Sequence, residues 1–213
     1  MQEPTRIYIG IGIIALLVTC CPSLGVAATA DLLQALDEGT IWAEFYGTGD
    51  LGVDATIGRN TGGPKFVAIA PGTQFWAQRG GRQGQSTLGW VPVDLSKNAV
   101  VHLRIPTACT NISRRAPTPE DEMFPEPCSD DRMARLCAVV VPAEDDIDVV
   151  QLGVWAIANN PSRRTLQRHE QYMVGEEITD PEARTAAFEK LLSSAAELLE
   201  RADLKPSEFR MFR

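Results

Sequence analysis

Short segments of alternating apolar and polar residues recur about every ten residues between Ile41 and Ile105, and this pattern most limits the folds open to the chain. Glycine, proline and asparagine separate the segments, as is typical of turns between strands. A two-residue period places alternate side chains on opposite faces of a sheet, so the pattern predicts antiparallel sheets folded into a sandwich or barrel. The predicted strands are Ile41–Tyr46, Val53–Ile57, Phe66–Ala70, Gln74–Ala77, Leu88–Val93 and Ala99–Ile105.

The alternation stops after Ile105, in a stretch of about thirty residues that is rich in proline and acidic side chains. Loops of this length inside a compact domain tend to be functional or disordered. The apolar segment Leu136–Val141 then predicts a last strand. The β part would therefore occupy residues 41–142.

Residues 143–213 are predicted to be helical, because their apolar residues follow a helical period. A first helix is predicted from Ile147, Val150, Val154 and Ala158. Acidic residues at its start, from Glu144 to Asp148, are explained by the helix dipole and by capping rather than by a metal site. A longer helix should follow Asp180 and Pro181, a cap and a first-turn proline. The predicted fold class is α+β: a mainly antiparallel β-sandwich-like domain followed by a helical C-terminal part.

The first thirty residues have the pattern of a secretory signal peptide. The apolar run Ile7–Val18 precedes small residues, where cleavage after Ala28 or Ala30 is expected. Two alternatives stay open: retention as a membrane anchor, since the apolar run continued through Ala30 is about long enough to span a bilayer, or lipidation of Cys20. We expect a signal peptide at 1–30 and a single globular domain at 31–213, secreted or otherwise extracytoplasmic, at the cell surface or in the periplasm.

The chain carries a net charge of −8 at pH 7. This sign disfavours nucleic acid and anionic lipid as partners. The expected partner is an extracellular protein or another surface ligand, and contact with a membrane is expected only if the leader is retained.

Residues of the kind that enzymes use are sparse in this sequence. Its two histidines, His102 and His169, lie in no recognisable catalytic setting, and both are predicted to be exposed. No phosphate-binding loop, dinucleotide fingerprint or zinc spacing occurs in the sequence. We therefore expect no cofactor and no metal, and a binding or structural module rather than an enzyme.

Three of the five cysteines lie beyond the leader: Cys109, Cys128 and Cys137. An odd number allows one disulfide and leaves one thiol over in an oxidising compartment. A disulfide here would shorten the long loop and lower the entropy of the unfolded chain. Cys128 and Cys137 are the disulfide candidates, although the sequence leaves the pairing open.

One polar residue interrupts the apolar face of the first predicted helix. Gln151 lies four residues after Ile147 and three before Val154, so its carboxamide should point inward. A buried carboxamide needs hydrogen-bond partners, and the backbone at a strand end could supply them.

The segment Val150–Trp155 is similar to a motif of bacterial surface thioester domains: a hydrophobic residue, glutamine, two residues, a hydrophobic residue and tryptophan. The resemblance implies that a cysteine thiolate attacks the Gln151 carbonyl, ammonia leaves, and the thioester later captures an amine of a host or matrix molecule. Cys109 is the candidate thiol, because pairing Cys128 with Cys137 would leave it over. Otherwise the chain looks like uncharacterised exported bacterial domains, and thioester-mediated attachment is the alternative to a noncovalent module.

Overall fold

Residues 29–78 and 80–213 are described by the computed structural model, and they contain nine strands and six α-helices. The strands are β1 (Ala30–Asp31), β2 (Ile41–Gly47), β3 (Gly52–Arg59), β4 (Phe66–Ile69), β5 (Gln74–Ala77), β6 (Gln85–Thr87), β7 (Val91–Asp94), β8 (Val100–Cys109) and β9 (Met123–Glu126). The helices are α1 (Leu32–Asp37), α2 (Asp131–Val139), α3 (Ile147–Ala158), α4 (Arg163–Leu166), α5 (Glu170–Val174) and α6 (Pro181–Arg201).

The predicted leader lies outside these residues, apart from its last two positions. Cleavage, retention and lipidation of Cys20 therefore all stay predictions. Among the described residues, no helix combines the length and hydropathy that a membrane crossing requires.

A six-stranded sheet in the order β2-β3-β8-β6-β5-β9 curves into a nearly closed barrel, with antiparallel pairing throughout. Its two edges meet where Tyr46 of β2 bridges to Glu122, just before β9. Strand β8 is long enough to serve two neighbours. Its first part pairs with β3 as far as Pro106, and its last residues, Thr107–Cys109, pair with β6.

A second, three-stranded sheet in the order β1-β4-β7 packs with helix α1 against the inside of this barrel. Strands β1 and β4 are parallel, whereas β4 and β7 are antiparallel. The shared core is apolar and includes Phe45 and Phe75, whose ring centroids lie 5.1 Å apart. Burial of this core provides the main driving force for folding the β part.

Helix α3 lies at the centre of a second core, between the end of β8 and helices α2 and α6. It is buried from Val149 to Ile157, as expected for a helix that is apolar on nearly all sides. Asp146 caps its start by accepting the Asp148 N–H at 2.9 Å. Helix α6 begins as predicted, with Asp180 accepting the Ala183 N–H at 2.7 Å and Pro181 in the first turn.

The α+β fold class is confirmed, and two of the predicted strands need correction. The segment Leu136–Val141 is not a strand: its first four residues end helix α2, which buries Met133, Leu136 and Cys137 on one face. The predicted strand Leu88–Val93 is a strand only from Val91, where β7 begins. The residues just before the predicted range, Gln85–Thr87, form β6. In addition, the long loop contains β9, an edge strand that accommodates Pro125 because it pairs with β5 on one side.

Candidate functional site

The side chain of Gln151 and the backbone of Cys109 form a two-point hydrogen-bonded contact. The Cys109 N–H donates to Gln151 Oε1 at 2.8 Å, and Gln151 Nε2 donates to the Cys109 carbonyl oxygen at 2.6 Å. Both residues are 4% exposed. The structure thus brings together the two residues singled out from the sequence, which lie 42 positions apart. The predicted hydrogen bond of Gln151 to a strand end is confirmed.

This contact forms because β8 extends three residues beyond the end of its pairing with β3. Strand β3 pairs with β8 only as far as Pro106, so beyond that residue β8 has no strand on its β3 side, whereas its other side pairs with β6. The Thr110 N–H points the other way and donates to the Gly84 carbonyl at 2.9 Å. Buried backbone groups must be paired, and the carboxamide of Gln151 supplies both a donor and an acceptor.

The thiol of Cys109 is buried beside the side chain of Gln85. Gln85 Nε2 lies 3.9 Å from Cys109 Sγ and also donates to the Asp50 carbonyl at 2.6 Å. Burial raises the pKa of Cys109 to about 11, although the contact with Gln85 acts in the opposite direction. The thiol is therefore protonated at neutral pH.

Cys109 and Gln151 both line a pocket of about 280 Å³ between the barrel and the helices. The barrel side contributes Asp50 and Arg114, and the helical side contributes Asp148, Trp155 and His169. Small-molecule sites are typically concave with a few converging polar groups and volumes of roughly 300–1,000 Å³, so this pocket lies at the lower limit of that range.

Trp155 forms one wall of the pocket and is 6% exposed. Its ring packs against that of His169, with centroids 5.7 Å apart. Within residues 29–78 and 80–213, its buried Nε1 has no hydrogen-bond partner. An indole N–H can only donate, so this buried group lacks the acceptor that such donors normally have.

Asp148 and His169 are pocket residues that the sequence did not identify as such. Burial raises the pKa of the Asp148 carboxyl, and Asp146 adds to the effect. Burial lowers the pKa of His169, and Arg168 acts in the same direction. The predicted exposed position of His169 is wrong, because this residue is half-buried at the start of α5 and contacts Trp155. Only the helical spacing of Asp148, Gln151 and Trp155 could have indicated a shared face.

Cys128 and Cys137 lie away from this pocket, and the structure describes both as free thiols. Cys137 is buried, which raises its pKa to about 12, and the neighbouring Cys128 acts in the same direction. Their disulfide stays a prediction. His102 is exposed, as predicted, and its Nδ1 lies 2.9 Å from Thr56 Oγ1. In the described part of the chain, no three His, Cys, Asp or Glu side chains form a group that could hold a metal ion.

Comparison with known proteins identifies no homologue of this chain. No family matches this chain, and no curated protein or solved structure matches it. The likeness of Val150–Trp155 to the thioester motif therefore rests on those six residues alone.

Proposed function

We propose that this chain is an extracytoplasmic attachment module in which Cys109 and Gln151 form an internal thioester that captures an amine. The observation that supports this proposal is their two-point contact at the wall of a pocket. The motif assigns a cysteine partner to Gln151, and the residue that Gln151 contacts is a cysteine. The leader supports a location outside the cytoplasm.

The geometry favours attack of the thiol on the Gln151 carbonyl carbon. The backbone N and Sγ of Cys109 are three covalent bonds apart, so the thiol lies within ~7 Å of Gln151 Oε1 and can approach by side-chain rotation. Holding the two residues together lowers the entropic cost of their reaction once side-chain rotation brings Sγ to about 3.5 Å from Cδ of Gln151.

The Cys109 N–H also acts on the reaction itself. Attack by sulfur places negative charge on Oε1, and the backbone N–H that already donates to this oxygen stabilises that charge. When the tetrahedral intermediate collapses, the bond from Cδ to Nε2 breaks. The amide nitrogen takes the proton of the thiol and leaves as ammonia, so one S–H and one carboxamide become one thioester and one NH₃.

Burial then protects the thioester from hydrolysis. Both partners are 4% exposed, which keeps water from the acyl carbon. A thiol whose pKa is about 11 is also a poor leaving group, because a thiolate leaves faster when its pKa is low. The acyl bond should therefore persist until a strong nucleophile enters the pocket.

A second candidate function is noncovalent binding of a small ligand in the same pocket. The observation in its favour is the pocket itself, whose wall combines the ring of Trp155 with the polar side chains of Gln151 and His169. In this case Gln151 serves only to pair the end of β8.

The intact mass of the exported protein distinguishes the two functions. A thioester lowers the mass by ~17 Da relative to the sequence, after correction for disulfides, and methylamine then adds ~31 Da. Cys109→Ala and Gln151→Ala should each abolish both changes, whereas the matched control Cys137→Ala should retain them. A full sequence mass and no methylamine adduct would assign the noncovalent function. The same spectrum reports whether the leader has been removed.

A further inference from the structure

A groove lined mainly by polar side chains crosses the surface where the ends of β8 and α3 meet. It consists of two adjoining cavities, of about 290 and 550 Å³, that share Asn111, Arg114 and Asn159. Trp76 lines the first cavity, and Arg210 lines the second. Small-ligand sites typically have volumes of roughly 300–1,000 Å³, so both cavities are close to or within that range. The two residues of the proposed thioester line neither cavity. We call this feature the polar groove.

The ring of Trp76 forms an aromatic wall of the polar groove. A Cβ atom at residue 84 would lie 2.6 Å from Cζ3 of this ring, so the glycine at that position leaves room for the ring against the backbone. Trp76 points outward from β5, opposite Phe124 of β9, and is 41% exposed. The groove therefore contains an aromatic surface that the backbone supports and that solvent can reach.

Three asparagine side chains of the polar groove are held in place by backbone groups. Each accepts an N–H through Oδ1: Asn111 from Ser113 at 2.9 Å, Asn159 from Ile112 at 3.1 Å and Asn160 from Arg210 at 2.7 Å. In the part of the chain that the structure describes, their Nδ2 groups donate to no protein atom. Each Nδ2 carries two donors, so the groove offers neutral N–H groups whose carboxamides are already oriented.

Two guanidinium groups add positive charge to the polar groove. Arg114 and Arg210 take part in none of the ion pairs within residues 29–78 and 80–213. The carboxylate of the groove, Asp130, already forms a salt bridge with Arg132 at 2.7 Å. Arg114 also borders the pocket beside Cys109, and no carboxylate among these residues lies within 4.0 Å of its guanidinium. Both arginines are therefore free to pair with an acidic ligand.

This combination of groups matches the chemistry of an acidic sugar. A pyranose ring has C–H bonds on its faces and hydroxyl groups around its rim. The C–H bonds can pack on the negative face of an indole, and the hydroxyl oxygens can accept from amide N–H groups. A carboxylate on the sugar can accept two hydrogen bonds from one guanidinium. A purely apolar ligand would use only the aromatic wall, and a simple anion would use only the arginines.

We infer that the polar groove binds a saccharide chain built from uronic acids. Trp76 stacks on one sugar ring, Asn111 and Asn159 donate to hydroxyl oxygens, and Arg114 and Arg210 pair with carboxylates. The net charge of −8 does not oppose this binding strongly, because charges farther away than about 10 Å are screened at 0.1 M salt. No covalent step is involved, so the inference does not depend on the proposed thioester.

The test is isothermal titration calorimetry of the exported full chain in 0.1 M NaCl. The ligands are hexamers of mannuronate, galacturonate and glucuronate, each compared with the neutral hexamer of the corresponding hexose. At least one uronate hexamer should bind with a Kd below about 1 mM, and at least about tenfold more tightly than its neutral counterpart. If none of the three binds, or if the neutral hexamers bind equally well, the inference is wrong.

Two sets of variants locate the ligand. Trp76→Ala should weaken binding of the uronate hexamer at least about tenfold. Trp42→Ala is its matched control, since Trp42 is 39% exposed, also packs against a glycine and does not line the groove. Arg114→Gln should weaken uronate binding at least about tenfold and binding of the neutral hexamer by less than about twofold. Arg115→Gln removes the same charge from the next residue, which is exposed and outside the groove, and should change neither affinity.

Nuclear magnetic resonance of the native protein supplies a measurement that does not require a stable variant. The indole N–H signal of Trp76, assigned by its absence in Trp76→Phe, should shift during titration with the uronate hexamer. The corresponding signal of Trp42 should stay unchanged. An unchanged Trp76 signal at saturation, or equal weakening by Arg114→Gln and Arg115→Gln, would overturn the assignment of the polar groove as the site.

Discussion

Replacing Gln151 by leucine should destabilise the protein through hydrogen bonding alone. Leucine has nearly the size of glutamine, so the cavity is small, but it leaves the N–H and carbonyl of Cys109 without their partner. An unsatisfied buried polar group costs about 1–3 kcal/mol, and two such groups give an expected loss of about 2–6 kcal/mol in the free energy of unfolding. The measurement is urea unfolding, followed by far-ultraviolet circular dichroism at 25 °C.

The comparison should be made in a Cys109→Ala background, where no thioester can form. That substitution keeps both hydrogen bonds, because they involve the backbone of residue 109 and not its side chain. Cys109→Ala alone should therefore lower the free energy of unfolding by less than the additional substitution Gln151→Leu does. A loss below about 1 kcal/mol for Gln151→Leu would refute the reasoning, because the two backbone groups would then have to be satisfied elsewhere.

Two further predictions concern the packing and charge of the helical part. Trp155→Ala should cost about 3–5 kcal/mol by leaving a cavity beside His169, and a loss below about 1 kcal/mol in the same unfolding assay would mean that helix α3 is misplaced. The hydrogen bond from Arg201 lowers the pKa of Asp145 below its ordinary value of 3.8, so this pair stabilises the fold above that value and the contribution is lost as the pH falls through the lowered pKa. Asp145→Asn should remove that part of the acid dependence, and an unchanged profile of stability against pH would contradict the assignment.

The strands that could be predicted are those bounded by turn residues. Predicted Ile41–Tyr46 corresponds to β2, Ile41–Gly47, and predicted Gln74–Ala77 corresponds to β5. In both cases glycine or proline marks the limits of an alternating segment, and the alternation determines which face is buried. Local sequence suffices there because the turn chemistry and the hydrophobic period agree.

The prediction failed where an apolar run carries no clear period. Leu136–Val141 is compatible with a buried strand or with the buried face of a helix, and short runs of this kind do not distinguish the two. The structure places its first residues in α2, where Asp130 caps the start by accepting the Arg132 N–H at 2.9 Å. That capping aspartate was the sequence signal that favoured a helix.

The candidate site was only half predictable for a different reason. The inward position of Gln151 follows from the period of its own helix, which is local information. The involvement of Asp148 and His169 depends on how α3, α5 and the end of β8 pack together, because only that packing places these two residues at the pocket wall. Tertiary contacts of this kind leave no periodic trace in the sequence.

In the contact between Gln151 and Cys109, the structure explains the identity of one residue and not that of the other. The end of β8 has no strand on its β3 side, which explains why a carboxamide is needed at residue 151. The carboxamide supplies a donor and an acceptor to the backbone of Cys109. It does not explain a cysteine at residue 109, because any residue with a backbone N–H would satisfy the same two bonds. A buried cysteine whose backbone contacts the Gln151 carboxamide at the wall of a pocket is instead consistent with the proposed amide-to-thioester exchange. The identity of residue 109, rather than that of residue 151, is therefore the stronger argument for covalent attachment.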